Sequence, residues 1–219
     1  MIKWLKITLD ELLEGTVNSI YKRIIYDMNK CFHSFKSYRI LMKGLPSYLQ
    51  SFNYKLHFNL LPVKTMFREY ALDNDSRCTF CEIGPETTLH MFGLCEKLEI
   101  VWRFLNRVFF LISHEEFNFQ KMRKDFHLDL TNIQCNRKYK KTLIYFNSIV
   151  NYGIWKMRND IRYKFELFDA QILLRKVLRT VGGRKGVDQK LAPSYQIPYL
   201  QELFDSMRFV MSNFPFDNG

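Results

Sequence analysis

Three cysteines and one histidine within a short stretch constrain this chain more than any other feature. Cys78, Cys81, His90 and Cys95 follow the spacing C-x2-C-x8-H-x4-C. A lone C-x2-C also serves redox chemistry, where it opens a helix beside a strand of a βαβ unit. No such pattern surrounds Cys78. With His90 and Cys95 added, the four side chains can close around one Zn²⁺ as a tetrahedral Cys3His site. Gly84-Pro85 supplies the turn between the two halves, and residues 87–94 can form a helical turn that presents His90 and Cys95. Four protein ligands leave no open position for water. The expected cofactor is therefore structural Zn²⁺, whose binding helps to fold the loop. His33, His57, His114 and His127 have no partners at ligand spacing.

The other two cysteines, Cys31 and Cys135, stand alone. An odd count with three members clustered fits a reducing compartment better than a disulfide framework. The expected location is intracellular, nuclear and cytoplasmic. No apolar run approaches the length needed to span a bilayer, and Asp10 and Glu11 interrupt the apolar start before a signal-peptide core can form. No membrane partner is expected.

Around the cysteine stretch the periodicity is helical. Apolar residues recur at helical spacing from Leu9 to Met28 behind a Thr8-Leu9-Asp10-Glu11 capping pattern. Shorter helices are expected over 35–42, 47–60 and 62–72, the last with Pro62 in its first turn. Residues 96–113 read as a helix with Leu98, Val101, Trp102, Leu105, Val108 and Phe109 on one side. Residues 114–135 are weakly patterned. A long helix is expected over about 137–168, and Gly153 marks a point at which it could be interrupted. Asp169 should cap another, stopped by Gly182-Gly183. Residues 182–198 read as a linker or exposed loop, and 198–213 as a final amphipathic helix. The fold class is mainly α, a helical domain with an embedded Cys3His zinc-binding loop. It divides into a helical platform (1–77), the zinc motif and its following helix (78–113), a basic helical region (114–190), and a linker with a C-terminal helix (191–219).

The net charge of +11 is concentrated rather than spread. Residues 137–190 carry 14 bases against 4 acids, whereas residues 1–136 carry 18 against 15. A solvated helical face usually mixes both signs. An excess of one sign points to an anionic partner, RNA or DNA, held through its phosphates. The candidate contacts are Arg137, Lys138, Lys140, Lys141, Lys156, Arg158, Arg162, Arg175, Lys176, Arg179, Arg184 and Lys185. For Arg158, beside Trp155, a structural ion pair and a phosphate contact are equally open. Trp102 and Trp155 are expected to anchor the core.

No catalytic machinery is legible. The chain has no nucleophile elbow, no P-loop, no Rossmann glycine pattern and no Asp-Asp pair. It is expected not to be an enzyme.

The motif order resembles the C-terminal zinc-binding region of non-LTR (LINE-type) retrotransposon reverse transcriptases. There a C-x2-C precedes a Glu-Thr-x-x-His element, a Cys, and a Trp about seven residues on. Here these are Cys78, Cys81, Glu86-Thr87-Thr88-Leu89-His90, Cys95 and Trp102. Phe52 to His57 with Leu61-Pro62-Val63 is similar to the family's helical lead-in, and Lys36 to Leu41 to its short Tyr-containing helix. Ile154-Trp155-Lys156-Met157-Arg158-Asn159 resembles its recurring Ile-Trp-Lys-x-Arg-Asn element. The resemblance covers about residues 35–166. It implies a helical, zinc-containing module that follows a polymerase domain and holds RNA and DNA during target-primed reverse transcription. The fingers, palm and catalytic aspartates of such a polymerase are missing, as is the endonuclease signature of some relatives. The resemblance therefore implies a C-terminal fragment or stand-alone derivative that partners an upstream reverse transcriptase domain. The competing reading is a zinc-stabilised protein-interaction scaffold derived from a retroelement.

Overall fold

A computed structural model describes residues 42–57, 59–69, 75–114 and 137–216. The helix expected over 8–30 and nearly all of that over 35–42 lie outside them, as do Cys31, His33, His127 and Cys135. The described part is mainly helical. It has no β-strand among its described residues, only an isolated antiparallel bridge between Arg77 and Pro85. Its six α-helices are α1 Ser47–His57, α2 Lys64–Glu69, α3 Glu99–Ser113, α4 Arg137–Lys164, α5 Ala170–Asp188 and α6 Leu200–Asn213.

Each helix buries the face that its periodicity marks. In α3, Val101, Trp102, Leu105, Val108 and Phe109 are buried together, with Leu98 just ahead. His114 stops this helix in the left-handed region at φ 54°, its amide bonded to the Phe110 carbonyl. In α6, Leu200, Leu203, Met207 and Val210 turn inward. The middle of α4 is buried all round from Thr142 to Asn151, which makes it the axis of the bundle. It packs on α1, α3 and α5, while α6 packs on α3 and α5. A single apolar core runs from Met42 to Val210 and includes Cys78, Phe80, Met91, Phe92 and Cys95 of the cysteine loop.

Three expectations are corrected. The long helix has no break at Gly153. A Cβ there would lie 2.8 Å from Leu173 Cδ1, so this glycine lets α5 approach α4. The same explanation covers Gly182, where a Cβ would meet Phe204 Cε2 at 2.9 Å. α5 does not stop at Gly182-Gly183 but continues to Asp188. Residues 182–188 are therefore helical, and the largely exposed loop begins only after them. Asp188 accepts the Ile197 amide at 3.0 and 3.1 Å, and Arg184 donates to the Gly44 and Tyr195 carbonyls. Pro62, expected in the first turn of α2, precedes its first residue by two. The expected cap at Asp169 is present, accepting the amides of Gln171 and Ile172.

Candidate metal centre

The cysteine loop folds on itself through short-range backbone bonds. The Cys78 amide donates to the Gly84 carbonyl at 2.7 Å, and the Glu82 amide to the Cys78 carbonyl at 2.9 Å. Glu82 takes the left-handed conformation (φ 59°) that closes the turn. The Phe80 amide points at Cys78 Sγ, 3.4 Å away. The second half is the expected helical turn in a widened form, His90–Leu94, with the Cys95 amide bonded to the His90 carbonyl. Ordinary helical periodicity sets residues five apart about 140° around the axis. The wider turn brings His90 and Cys95 towards the same side. Thr87 Oγ1 accepts the His90 amide at 3.0 Å and starts the turn.

The result is one cluster. The ligand atoms of Cys78, Cys81, His90 and Cys95 all lie within 4.8 Å of one another. Cys78 Sγ and Cys95 Sγ are 3.9 Å apart, and Cys81 Sγ and His90 Nε2 are 3.3 Å apart. A tetrahedron with metal–sulfur bonds of about 2.3 Å has sulfur–sulfur edges of about 3.8 Å. The cluster can therefore hold a metal ion with little rearrangement. Cys78 and Cys95 are buried, Cys81 and His90 half-buried. Gly84 faces the imidazole, where a Cβ would stand 3.2 Å from His90 Cε1. Without a metal, Cys78 Sγ and Cys95 Sγ form a hydrogen bond with each other. That bond lowers Cys78 to about 5 and raises Cys95. Metal binding requires these thiols to be deprotonated, so a metal ion would replace their protons.

Glu86 fixes the loop to the rest of the fold. Its side chain is fully buried. One oxygen, Oε1, accepts Arg158 Nη2 at 2.5 Å, Arg158 Nε at 3.1 Å and the Lys64 amide at 3.0 Å. The other, Oε2, accepts the Thr79 amide at 2.9 Å and the Thr79 hydroxyl. Burial by itself would raise this carboxyl, but the hydrogen bonds and charge of Arg158, with the Thr79 bonds, outweigh it and hold it below its usual range. One carboxylate thus joins the cysteine turn, the start of α2 and the middle of the bundle. Sequence reasoning placed Glu86 in a motif but gave it no role. The signal available was its place at the head of the Glu-Thr-x-x-His element.

Arg158 takes the ion-pair side of its two readings. At 1% exposure it presents nothing to a phosphate, so it is removed from the candidate contacts. Its guanidinium also stacks 5.1 Å over the Trp155 ring. Trp102 is buried as expected, while Trp155 is only partly so.

The remaining basic candidates divide by surroundings. The side chains of Arg137 and Lys138 lie outside the described set. Lys141 donates to the Gln196 carbonyl, and burial lowers its ammonium. Arg184 pairs with Asp188 within α5 and ties the helix to the Gly44 and Tyr195 carbonyls. Lys185 covers Phe204, and Arg162 stands over Tyr163. Lys140 is half-buried. Lys156, Arg175, Lys176 and Arg179 are exposed. Three of these, Lys156, Lys176 and Arg179, line a groove between α4 and α5. Among the described residues, no helix is long and apolar enough to cross a membrane.

Comparison with known proteins returned no match: no family model, no curated protein and no solved structure matches the chain.

Proposed function

We propose that the chain is a zinc-stabilised, non-catalytic nucleic-acid-binding module, similar to the segment that follows the polymerase in non-LTR retrotransposon reverse transcriptases. The observation that carries this reading is the Glu86–Arg158 ion pair. Glu86 begins the Glu-Thr-x-x-His element and Arg158 belongs to the Ile-Trp-Lys-x-Arg-Asn element, yet they are 72 residues apart in sequence. Two motifs that resemble one family separately also meet in space through their charged members. That is what a shared architecture requires, and a chance pair of matches does not.

Zinc is the metal this donor set suits, since three thiolates and one imidazole are borderline-soft ligands at tetrahedral spacing. All four positions come from the chain, so the ion has no vacancy for an activated water. Its role is to hold the loop against the core while the exposed bases of α4 and α5 meet phosphates. The partner is RNA or DNA, with an upstream reverse transcriptase domain as the protein neighbour.

The test is a titration of labelled RNA and DNA oligonucleotides against the zinc-loaded protein over a series of salt concentrations. Binding that weakens steeply with salt is expected. Charge reversal of Arg175, Lys176 and Arg179 should weaken it with the fold intact.

A second reading, a protein-interaction scaffold of retroelement origin, is favoured by one observation. The hairpin between α4 and α5 leaves Phe165 and Leu167 about nine-tenths exposed. No nucleic-acid affinity at low salt would select it.

A further inference from the structure

The groove between α4 and α5 has a volume of about 630 Å³, within the roughly 300–1,000 Å³ of small-ligand sites. Its walls are of two kinds. At one part stand two tyrosines, Tyr48 from α1 and Tyr152 from α4, with ring centroids 5.1 Å apart and planes inclined at 52°. Tyr48 is 42% exposed. Around them stand four cations, Lys156 and Lys164 from α4 and Lys176 and Arg179 from α5.

The cations outnumber the acids. Asp160 is the only carboxylate in the lining. It pairs with Lys164 at 2.6 Å and Lys176 at 3.7 Å, spanning the two helices. The Lys164 hydrogen bond holds its carboxyl below the usual range. It is ionised at neutral pH, and the groove still keeps an excess of positive charge. Lys156 and Arg179 enter no salt bridge among the described residues. The Lys156 ammonium lies 6.0 Å from the Tyr152 ring centre, so charge and aromatic face are adjacent.

Cations alone take any phosphate chain, double or single. A tyrosine face beside them adds a contact that only an unpaired base can use, because a duplex keeps its bases stacked inside. We propose that this groove binds a single-stranded nucleic-acid segment, with an unpaired base against Tyr48 and Tyr152 and its phosphates at Lys156, Lys176 and Arg179. The proposal rests on the nucleic-acid reading above and locates it on the molecule.

The experiment uses the full chain with zinc and three probes: a labelled oligo(dT), an oligo(U) and a 20-base-pair duplex. Tyr48→Ala should weaken the single strands by about 5- to 140-fold, the span of one base–aromatic stack. Tyr48→Phe keeps the ring and should retain binding. Neither should change the affinity of the duplex. The exposed pair Lys176→Gln/Arg179→Gln removes two phosphate contacts without touching the tyrosines, and should lower the log–log salt slope for single strands by about 1.4. Single-strand affinity within twofold of wild type in both Tyr48→Ala and Lys176→Gln/Arg179→Gln overturns the groove while leaving the nucleic-acid reading standing. So does an equal loss for the duplex in Tyr48→Ala. No binding of any probe by the wild-type protein at low salt overturns both.

Discussion

The cysteine loop and the α4–α5 groove handle charge in opposite ways. In the loop the buried carboxylate is answered inside the protein. Glu86 is met by Arg158 with both side chains sealed from water, and Cys78 and Cys95 face each other with their sulfurs 3.9 Å apart. In the groove one carboxylate faces four cations, and Lys164 and Lys176 are half or more exposed. Arg158 and Arg179 are the same residue type within one basic segment, yet one is a bolt and the other an open contact. Net charge by segment cannot separate them. Burial beside a fixed acid can.

The sharpest way to break the comparison is at the metal. If the loop is a closed clasp, its ion contributes folding energy outright. Apparent binding free energies of structural zinc sites run to about 10–16 kcal/mol at neutral pH, as large as the roughly 5–15 kcal/mol margin of a whole domain. Chelation, or Cys95→Ser, should release one zinc per chain and melt at least residues 78–95. The loss would extend to the core packed on Met91 and Phe92. Circular dichroism and the melting temperature report it, and both unchanged after complete metal removal would sink the clasp.

The ion pair comes next. Arg158→Met leaves Glu86 buried without its counter-charge, which should cost about 3–5 kcal/mol in urea unfolding with the metal retained. Replacing both members, as in Glu86→Gln/Arg158→Met, should cost less than the sum of the single changes. The pH dependence has a definite sign. The folded Glu86 carboxyl lies below its unfolded value of about 4.3. Its ionisation therefore stabilises the fold above that value, and the contribution is lost as pH falls through the folded pKa. The advantage of wild type over Glu86→Gln should be full at pH 7 and shrink on acidification below about 4. An advantage that stays constant over that range would show that the charge of Glu86 contributes nothing.

These expectations bear on how much the chain discloses before it folds. The ligand set was legible because coordination needs particular atoms at short range, and the spacing from Cys78 to Cys95 leaves few alternatives. Helix faces were legible for the same local reason: the inward stripe of α3 follows from its period. Gly153 and Gly182 misled because glycine signals a stop and a close approach with the same letter. Their neighbours, Leu173 and Phe204, lie 20 or more residues away. The split between Arg158 and Arg179 was illegible for a related reason, since the partner of Arg158 is 72 residues upstream. What a local pattern determines can be read locally; what a distant neighbour determines cannot.

A smaller effect is expected where the two regions join. Asp169 caps α5 after the hairpin, and Phe168 beside it packs edge-on against Phe80 of the cysteine loop with ring centroids 5.3 Å apart. Asp169→Ala should lower stability by about 1 kcal/mol, the usual worth of an N-cap, measured as a shift in the urea midpoint at constant slope.

The smallest effect on stability belongs to Arg179, and its smallness is the point. Its side chain is exposed and joins no salt bridge among the described residues. Surface substitutions of this kind stay within about 0.5 kcal/mol. Arg179→Gln should therefore leave the urea midpoint and metal content where they were, although it removes the same charge as Arg158→Met. A loss of 2 kcal/mol or more in Arg179→Gln would mean that the groove, like the loop, is built around internal pairing. Its excess of cations would then be a structural feature of the bundle, and the contrast between the two arginines would disappear.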